Sequence, residues 1–405
     1  MKVMPDSFDD APFRLADEAM SSKRIPLSRP AGIDPDAVAA DVRKILASGI
    51  LTNGPYVRRL EFETAERLGV SHCIAVSSCT SGLMLVLKAA GLSGDVVLPS
   101  FTFAATAHAV VWNGLRPVFA DIDPATLTLS PAAAARAVGV RTSAILATHI
   151  YGTPCDIEGL VAVARSNGLR LFFDAAHAFG SRHMGTPVGG FGDAEIFSLS
   201  PTKLLVAAEG GIIATNDDML AERCRIGRDY GNPGDYDCRF VGLNARMSEL
   251  HAAVGLSSLR TLDERIERRN RLAERYREAL THVPGITFPS VPDGDHSTYK
   301  DMTIQIDPDR FGLDATSLGM ALSEEGIETR RYYSPPVHAM RAFQGHAGPN
   351  GSLSSTISAS ERVLTLPMWT GMTEDDVEIV SAAISGIRQG YVRRRRSGSV
   401  NGARP

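Results

Sequence analysis

The chain has 405 residues, 44% hydrophobic, 22% charged and 6% aromatic, with 37 Gly and 23 Pro, a composition that excludes a mainly disordered, collagen-like or coiled-coil protein. At about 100–200 residues per domain it holds two packed units, or one large domain with a smaller one attached. Against 42 Lys+Arg stand 46 Asp+Glu, a formal net charge of -4; this argues against non-specific nucleic-acid binding and leaves any anionic ligand to a local site.

From Met1 to about Ser28 charged and apolar residues are mixed, with no signal-peptide core. No stretch approaches the roughly 20 apolar residues of a membrane span. We therefore expect an N-terminal tail over 1–28, no membrane partner and a cytoplasmic enzyme. Asp36 to Ser48 has helical periodicity through Val38, Val42, Ile45 and Leu46, broken by the turn residues of Leu51-Thr52-Asn53-Gly54-Pro55. Helical segments then alternate with seven apolar runs: Cys73–Val76, Val96–Leu98, Val118–Ala120, Ala144–His149, Leu169–Phe173, Glu195–Ser198 and Gly211–Ala214. Such alternation predicts an α/β fold, with a mostly parallel sheet buried on both faces by helices, and a large domain over 29–258.

Leu259, Leu262, Ile266, Leu272, Tyr276 and Leu280 recur at near-helical spacing among Arg and Glu, predicting one long helix that leads out of the large domain. A strand at Thr303–Ile306 and helices at Ala315–Glu325 and Glu374–Ile387 predict a smaller α+β unit, so that 259–389 forms the C-terminal domain. The Arg393–Arg396 run among Ser, Gly and Asn predicts a basic, disordered tail over 390–405. The five cysteines, Cys73, Cys79, Cys155, Cys224 and Cys238, include no C-x-x-C pair and are read as reduced, and no metal is expected.

The chemistry concentrates in Phe173-Asp174-Ala175-Ala176-His177, followed after the next strand by Phe197-Ser198-Leu199-Ser200-Pro201-Thr202-Lys203. An acid at the end of an apolar strand needs a partner, and the lysine after the neighbouring strand falls in the same cleft. Pyridoxal phosphate needs such a set: a lysine for the Schiff base and a carboxylate that keeps the pyridine nitrogen protonated. Ser77-Ser78-Cys79-Thr80-Ser81-Gly82, between a strand and an Ala/Leu-rich helix, offers N–H groups and hydroxyls to a phosphate. The same residues also read as a helix N-cap.

The ordered set Thr52-Asn53-Gly54-Pro55, Ser78-Cys79-Thr80-Ser81-Gly82-Leu83, Pro99-Ser100-Phe101-Thr102-Phe103, His149-Ile150-Tyr151-Gly152-Thr153-Pro154, Asp174-Ala175-Ala176-His177, Phe197-Ser198 through Lys203, and Gly242-Leu243-Asn244-Ala245-Arg246-Met247-Ser248-Glu249 resembles the DegT/DnrJ/EryC1/StrS aminotransferases, from about Ile25 to Ile387. The resemblance implies the type I aminotransferase fold, a homodimer with shared active sites, and amination of keto-sugars attached to nucleoside diphosphates. It makes Lys203 the Schiff-base lysine and proton shuttle, Asp174 the partner of the pyridine nitrogen and His177 the neighbour of the ring hydroxyl. It makes Phe103 the stacking aromatic, and Ser78, Cys79, Thr80 and Ser198 phosphate ligands. Cys79 stands where the family usually has Gly. By the same resemblance Asn244 reaches the neighbouring subunit's phosphate, and Tyr332, Tyr333 and His338 fall on the substrate side. Arg228 falls near the sugar nucleotide, in a loop where Asp229 departs from the family's Asn. Arg246 and Glu249 are expected to pair with each other. His338 also reads as a hydrogen-bonded histidine outside the substrate pocket.

The resulting expectation is a pyridoxal-phosphate aminotransferase for a nucleotide-linked keto-deoxysugar, with L-glutamate as amino donor. A keto-cyclitol aminotransferase of the aminoglycoside type would carry the same cofactor motifs. A non-catalytic sensor built on the same fold is the rival from another class.

Overall fold

The computed structural model describes residues 24–30, 32–344 and 353–400. Each of the seven apolar runs is a strand: β1 (His72–Val76), β2 (Asp95–Pro99), β3 (Arg116–Ala120), β4 (Thr142–Thr148), β5 (Arg170–Asp174), β6 (Ala194–Ser198) and β7 (Gly211–Thr215). They form one sheet in the order β1-β7-β6-β5-β4-β2-β3. Only β7 opposes its neighbours, with Gly211 facing Val76 on one side and Ser198 on the other. Helices cover both faces, which explains why these strands read as continuous apolar runs. Ile74, Val76, Val96 and Ile213 pack on one face against Leu83 and Val86, while Ala75, Phe197 and Ile212 pack on the other against Leu60 and Leu256.

Helix boundaries follow local chemistry. Helix α1 (Pro35–Ser48) starts at Asp34, whose carboxylate accepts from Asp36 N and Ala37 N, and ends at Gly49 with φ 72°, a left-handed cap that glycine tolerates. Helix α2 (Pro55–Leu68) has no N-cap side chain of its own. The buried Glu249 carboxylate does that work from a distance, accepting from Gly54 N, Tyr56 N and Val57 N at 2.9 Å each. Arg246 is therefore not Glu249's partner, as the sequence had suggested; it pairs with Asp229 and lies over the Tyr230 ring. Asp229, the residue that departs from the Asn the resemblance leads one to expect, is thus held in an ion pair.

The C-terminal part builds its own core on an antiparallel sheet of Ile286–Thr287, Met302–Ile306 and Val363–Leu366, where Leu272, Tyr276, Leu318 and Val380 pack against Ile304 and Leu364. The long helix expected from Leu259 to Leu280 is present as Leu262–Leu280, and a separate helix, Glu249–Leu259, precedes it. The buried Arg265 guanidinium sits at the joint and donates to Ser258 O and Leu204 O. The Ser258 carbonyl belongs to the last turn before the break, which leaves it without an intrahelical partner.

Both expected tails differ from the structure where it describes them. Residues 1–23 lie outside the described residues, but Ile25 is buried, donates to Gly326 O at 3.0 Å and accepts from Glu328 N at 2.9 Å. At the other end the last helix spans Glu374–Val400 and continues through the arginine run. Three acids in its first turn suit the helix dipole, and arginine is a good helix former, so propagation continues where charge alone suggested a loose tail. Among the described residues no helix is long and apolar enough to cross a membrane.

Candidate active site

Six of the seven main-sheet strands point the same way, so the residues that follow them gather along one edge, where α/β sheets bind ligands. A cavity of about 280 Å³ opens there. Asp174 ends β5, Thr148 ends β4, Ser198 ends β6, and the turns after β1 and β2 bring Ser78 and Phe103 to the same wall. Lys203, His177, Tyr332 and Tyr333 complete it.

Asp174 is 3% exposed. Its Oδ2 accepts from Thr106 Oγ1 at 2.7 Å and its Oδ1 from Ala176 N at 3.1 Å. Thr106 is itself linked to Thr102, and Thr102 to Thr148, at 2.9 and 3.1 Å. This threonine chain holds the carboxylate in one orientation, while burial pushes its pKa up. An acid in that state seeks a cationic or N–H partner on its open side.

His177 is buried, and its Nδ1 accepts from Tyr151 N at 3.1 Å. In the neutral ring the proton is then assigned to Nε2, which lies 3.5 Å from the Tyr333 hydroxyl. Burial first, and then the charge of Lys203, hold His177 well below its ordinary pKa. It therefore offers one neutral N–H donor. Burial likewise brings the Lys203 amine down to about 8, with the like charge of Lys300 acting in the same direction. An amine so placed is partly unprotonated near neutral pH.

Helix α3 (Cys79–Ala89) begins under this wall with a reciprocal cap: Ser78 Oγ accepts from Ser81 N and Ser81 Oγ accepts from Ser78 N, both at 3.0 Å. The N-cap reading of the serine cluster therefore holds. It does not compete with anion binding, because the first-turn N–H groups of Cys79 and Thr80 precede the capped Ser81 N–H. Cys79 is the first helical residue and is absent from the left-handed region, so a cysteine replaces the family's glycine without strain. Its Sγ turns into the sheet, 3.7 Å from Ile196 O. Opposite, Gly211 approaches so closely that a Cβ there would lie 2.7 Å from Cys79 N.

These features fit pyridoxal phosphate. An oriented buried carboxylate suits a protonated ring nitrogen, and helix N–H groups with Ser78, Thr80 and Ser198 suit a phosphate. The Phe103 ring, 61% exposed on the cavity wall, leaves a flat face free for stacking.

Two residues expected at the substrate do not reach the cavity. Arg228 is buried, paired with Glu61 and donating to Ala75 O at 2.8 Å; it braces β1 against α2. His338 Nδ1 is hydrogen-bonded to Ser100 Oγ at 2.6 Å, and Ser100 Oγ accepts from His338 N at 2.9 Å, so it ties its loop to the end of β2. Asn244 is exposed and lies off its own chain's cavity wall, bridged through its backbone to Asp229. Conversely, sequence reading missed Thr102, Thr106, Lys300 and Asp301. The last two adjoin in sequence just before a buried strand, a position where two charges are costly without a purpose.

Residues 34–385 match the DegT/DnrJ/EryC1/StrS aminotransferase family. The spore coat polysaccharide biosynthesis protein SpsC of Bacillus subtilis is 34% identical over 365 residues, covering 86% of this chain and 94% of that protein. The UDP-N-acetyl-3-dehydro-alpha-D-glucosamine 3-aminotransferase of Acidithiobacillus ferrooxidans is 34% identical over 352 residues, covering 86% and 93%. Among solved structures, DesI in the presence of its TDP-sugar product superposes with a TM-score of 0.87 at 38% identity, covering 94% of this chain and 96% of that one. The fold is accordingly that of type I aminotransferases. The chain belongs to the DegT/DnrJ/EryC1/StrS family and is a pyridoxal-phosphate-dependent aminotransferase.

Proposed function

We propose that the enzyme moves an amino group from L-glutamate to the ketone of a deoxysugar carried on a nucleoside diphosphate, in two half-reactions that share one cleft. The observation that carries this reading is a buried Lys203 amine, brought down to about 8, facing the same cavity as the buried Asp174 carboxylate and an α3 N-terminus. The likeness to DesI and to a UDP-sugar aminotransferase supports the sugar nucleotide as acceptor.

Pyridoxal phosphate, when bound, supplies the electron sink for cleaving the donor's C–H bond. Ser78, Cys79, Thr80 and Ser198 would hold its phosphate, Phe103 would stack on the ring, and Asp174 would keep the ring nitrogen protonated. His177 would donate its Nε2 proton to the ring hydroxyl. Lys203 Nζ would take the proton from the donor carbon and return it to the cofactor carbon, a transfer typically worth 10²–10⁴-fold. Tyr332, half-buried at the cavity, is on the substrate side. The working unit is a homodimer in which Asn244 of each chain reaches the neighbour's phosphate.

The test is a screen of keto-sugar nucleotides and keto-cyclitols against the pyridoxamine form, read as the return of the pyridoxal absorbance. Reconversion by a keto-sugar nucleotide supports the proposal; reconversion by keto-cyclitols alone replaces its acceptor. Borohydride reduction and mass spectrometry are expected to find the cofactor on Lys203, and finding it on Lys300 overturns the lysine's role.

A further inference from the structure

The C-terminal part sends into the cleft an ion pair that the proposed cofactor contacts leave unused. Lys300 and Asp301 are each 7% exposed, line the cavity, and pair through Lys300 Nζ and Asp301 Oδ1 at 2.6 Å. Their backbone is clamped on both sides. Lys300 N donates to Tyr151 O at 2.8 Å, and the buried Arg269 donates to Tyr299 O and Lys300 O at 3.0 and 2.6 Å. The pair is thus a fixed part of the wall.

Burying an ion pair is unfavourable unless its remaining protons and lone pairs are satisfied. Here they are not. Asp301 Oδ2 is buried with no hydrogen-bond donor among the described residues. The nearest ring nitrogen, His177 Nδ1, is 4.0 Å away and already accepts from Tyr151 N, so it has no proton to give. Burial pushes the Asp301 carboxyl up, but the charge and hydrogen bond of Lys300 together with the other charges around it outweigh burial and hold the group at about 2, ionised and accepting. Beside it the Lys300 ammonium has three N–H groups and spends one on Asp301.

A ligand that suits this wall must give one hydrogen bond and take another within a small distance. A second anion would be repelled by Asp301, and a hydrocarbon would leave Oδ2 unpaired. A hydroxyl fits, because it is both donor and acceptor. We propose that Lys300 and Asp301 read the acceptor substrate: Lys300 Nζ donates to a hydroxyl beside the carbon that receives the amine, and Asp301, whose Oδ2 is shut from the cavity in this arrangement, turns its unpaired oxygen to accept from the same hydroxyl. This rests on the reading of the acceptor as a polyhydroxylated ketone. It makes the pair a determinant of specificity, since a site built around a substrate hydroxyl discriminates steeply against the analogue that lacks it.

Asp301→Asn keeps the shape and puts an N–H where an acceptor stood. The holoenzyme and this variant are compared on the keto-sugar nucleotide and on its analogue deoxygenated next to the ketone, or on the corresponding keto-cyclitol pair if that is what the wild type aminates. The wild type is expected to prefer the hydroxylated acceptor by at least about 100-fold in kcat/KM, and the variant by less than about tenfold. Lys300→Gln, read in the same way, serves if Asp301→Asn does not fold, and is expected to narrow the preference in the same direction. An undiminished preference in a folded variant, with both acceptors slowed equally, makes the pair merely structural and overturns the proposal. Absence of any preference in the wild type overturns it as well. A wild type that aminates no polyhydroxylated ketone is a different outcome, because it removes the function reading itself and the inference with it.

Discussion

At the scale of single residues, the site depends on burial setting protonation states. Asp174→Asn keeps the size of the side chain and its contact with Thr106 but cannot hold a ring nitrogen protonated. The expected outcome is a fall in kcat of about 10²-fold or more with a much smaller change in cofactor Kd, measured by steady-state kinetics and equilibrium dialysis. Asp193→Ala is the control. Asp193 accepts from Leu171 N and pairs with Arg170, so its loss should lower Tm and leave kcat nearly intact; equal damage to kcat would deny Asp174 a special role. Lys203 makes a pH prediction. Burial lowers its pKa from 10.5 to about 8, and only the neutral amine attacks a carbonyl. Uptake of pyridoxal phosphate by the apoenzyme should therefore rise about tenfold per pH unit below 8 and level off above it. A break near 10.5 in stopped-flow absorbance would mean a solvated lysine.

The element that matters most is the N-terminus of α3, pressed against the first residue of β7. The Ser78 cap stabilises it by about 1 kcal/mol, but its position depends on Gly211. A Cβ there would meet Cys79 N and the Ser78 carbonyl carbon at 2.7 Å, and backbone atoms inside a helix turn cannot rotate aside. Gly211→Ala should displace the first-turn N–H groups and weaken cofactor binding by tenfold or more, read by dialysis of the folded protein, while circular dichroism shows the helix content retained. Unchanged affinity would place the phosphate elsewhere. The serine cluster and the glycine after Glu209-Gly210 were both visible in the sequence. Their contact was not, because it needs β7 to run antiparallel between β1 and β6.

For the whole molecule the question is how many chains make one site. Asn244 is exposed and off its own cavity wall, so a role at the phosphate requires a second copy. A cofactor bound by both chains binds the dimer more tightly than the monomer and must strengthen dimerisation. Mixing inactive Lys203→Ala chains with inactive Asn244→Ala chains should restore activity, since each hybrid dimer has one site with both residues intact. If native mass spectrometry shows well-mixed hybrids and activity stays at the level of the parents, the shared site fails.

All seven strands of the main sheet and the α1 helix were legible in the sequence, because apolar runs and helical spacing are local signals; Asp174, Lys203 and the Ser78–Thr80 turn stood out by their chemistry at strand ends, His177 and Phe103 only by family resemblance, and the fold brings all of them to one cavity wall. The sequence also set the local chemistry that the fold then used, such as the Ser78 cap. Tertiary structure alone decided the rest. Arg228 and His338 had the chemistry of substrate ligands, but their partners, Glu61 and Ser100, come from distant segments and hold them off the cavity. Glu249 caps a helix almost two hundred residues earlier. Lys300 and Asp301 enter the cleft because Arg269 and Tyr151 fix their backbone there. Long-range pairing of this kind is set by how elements pack, and sequence spacing carries no record of it.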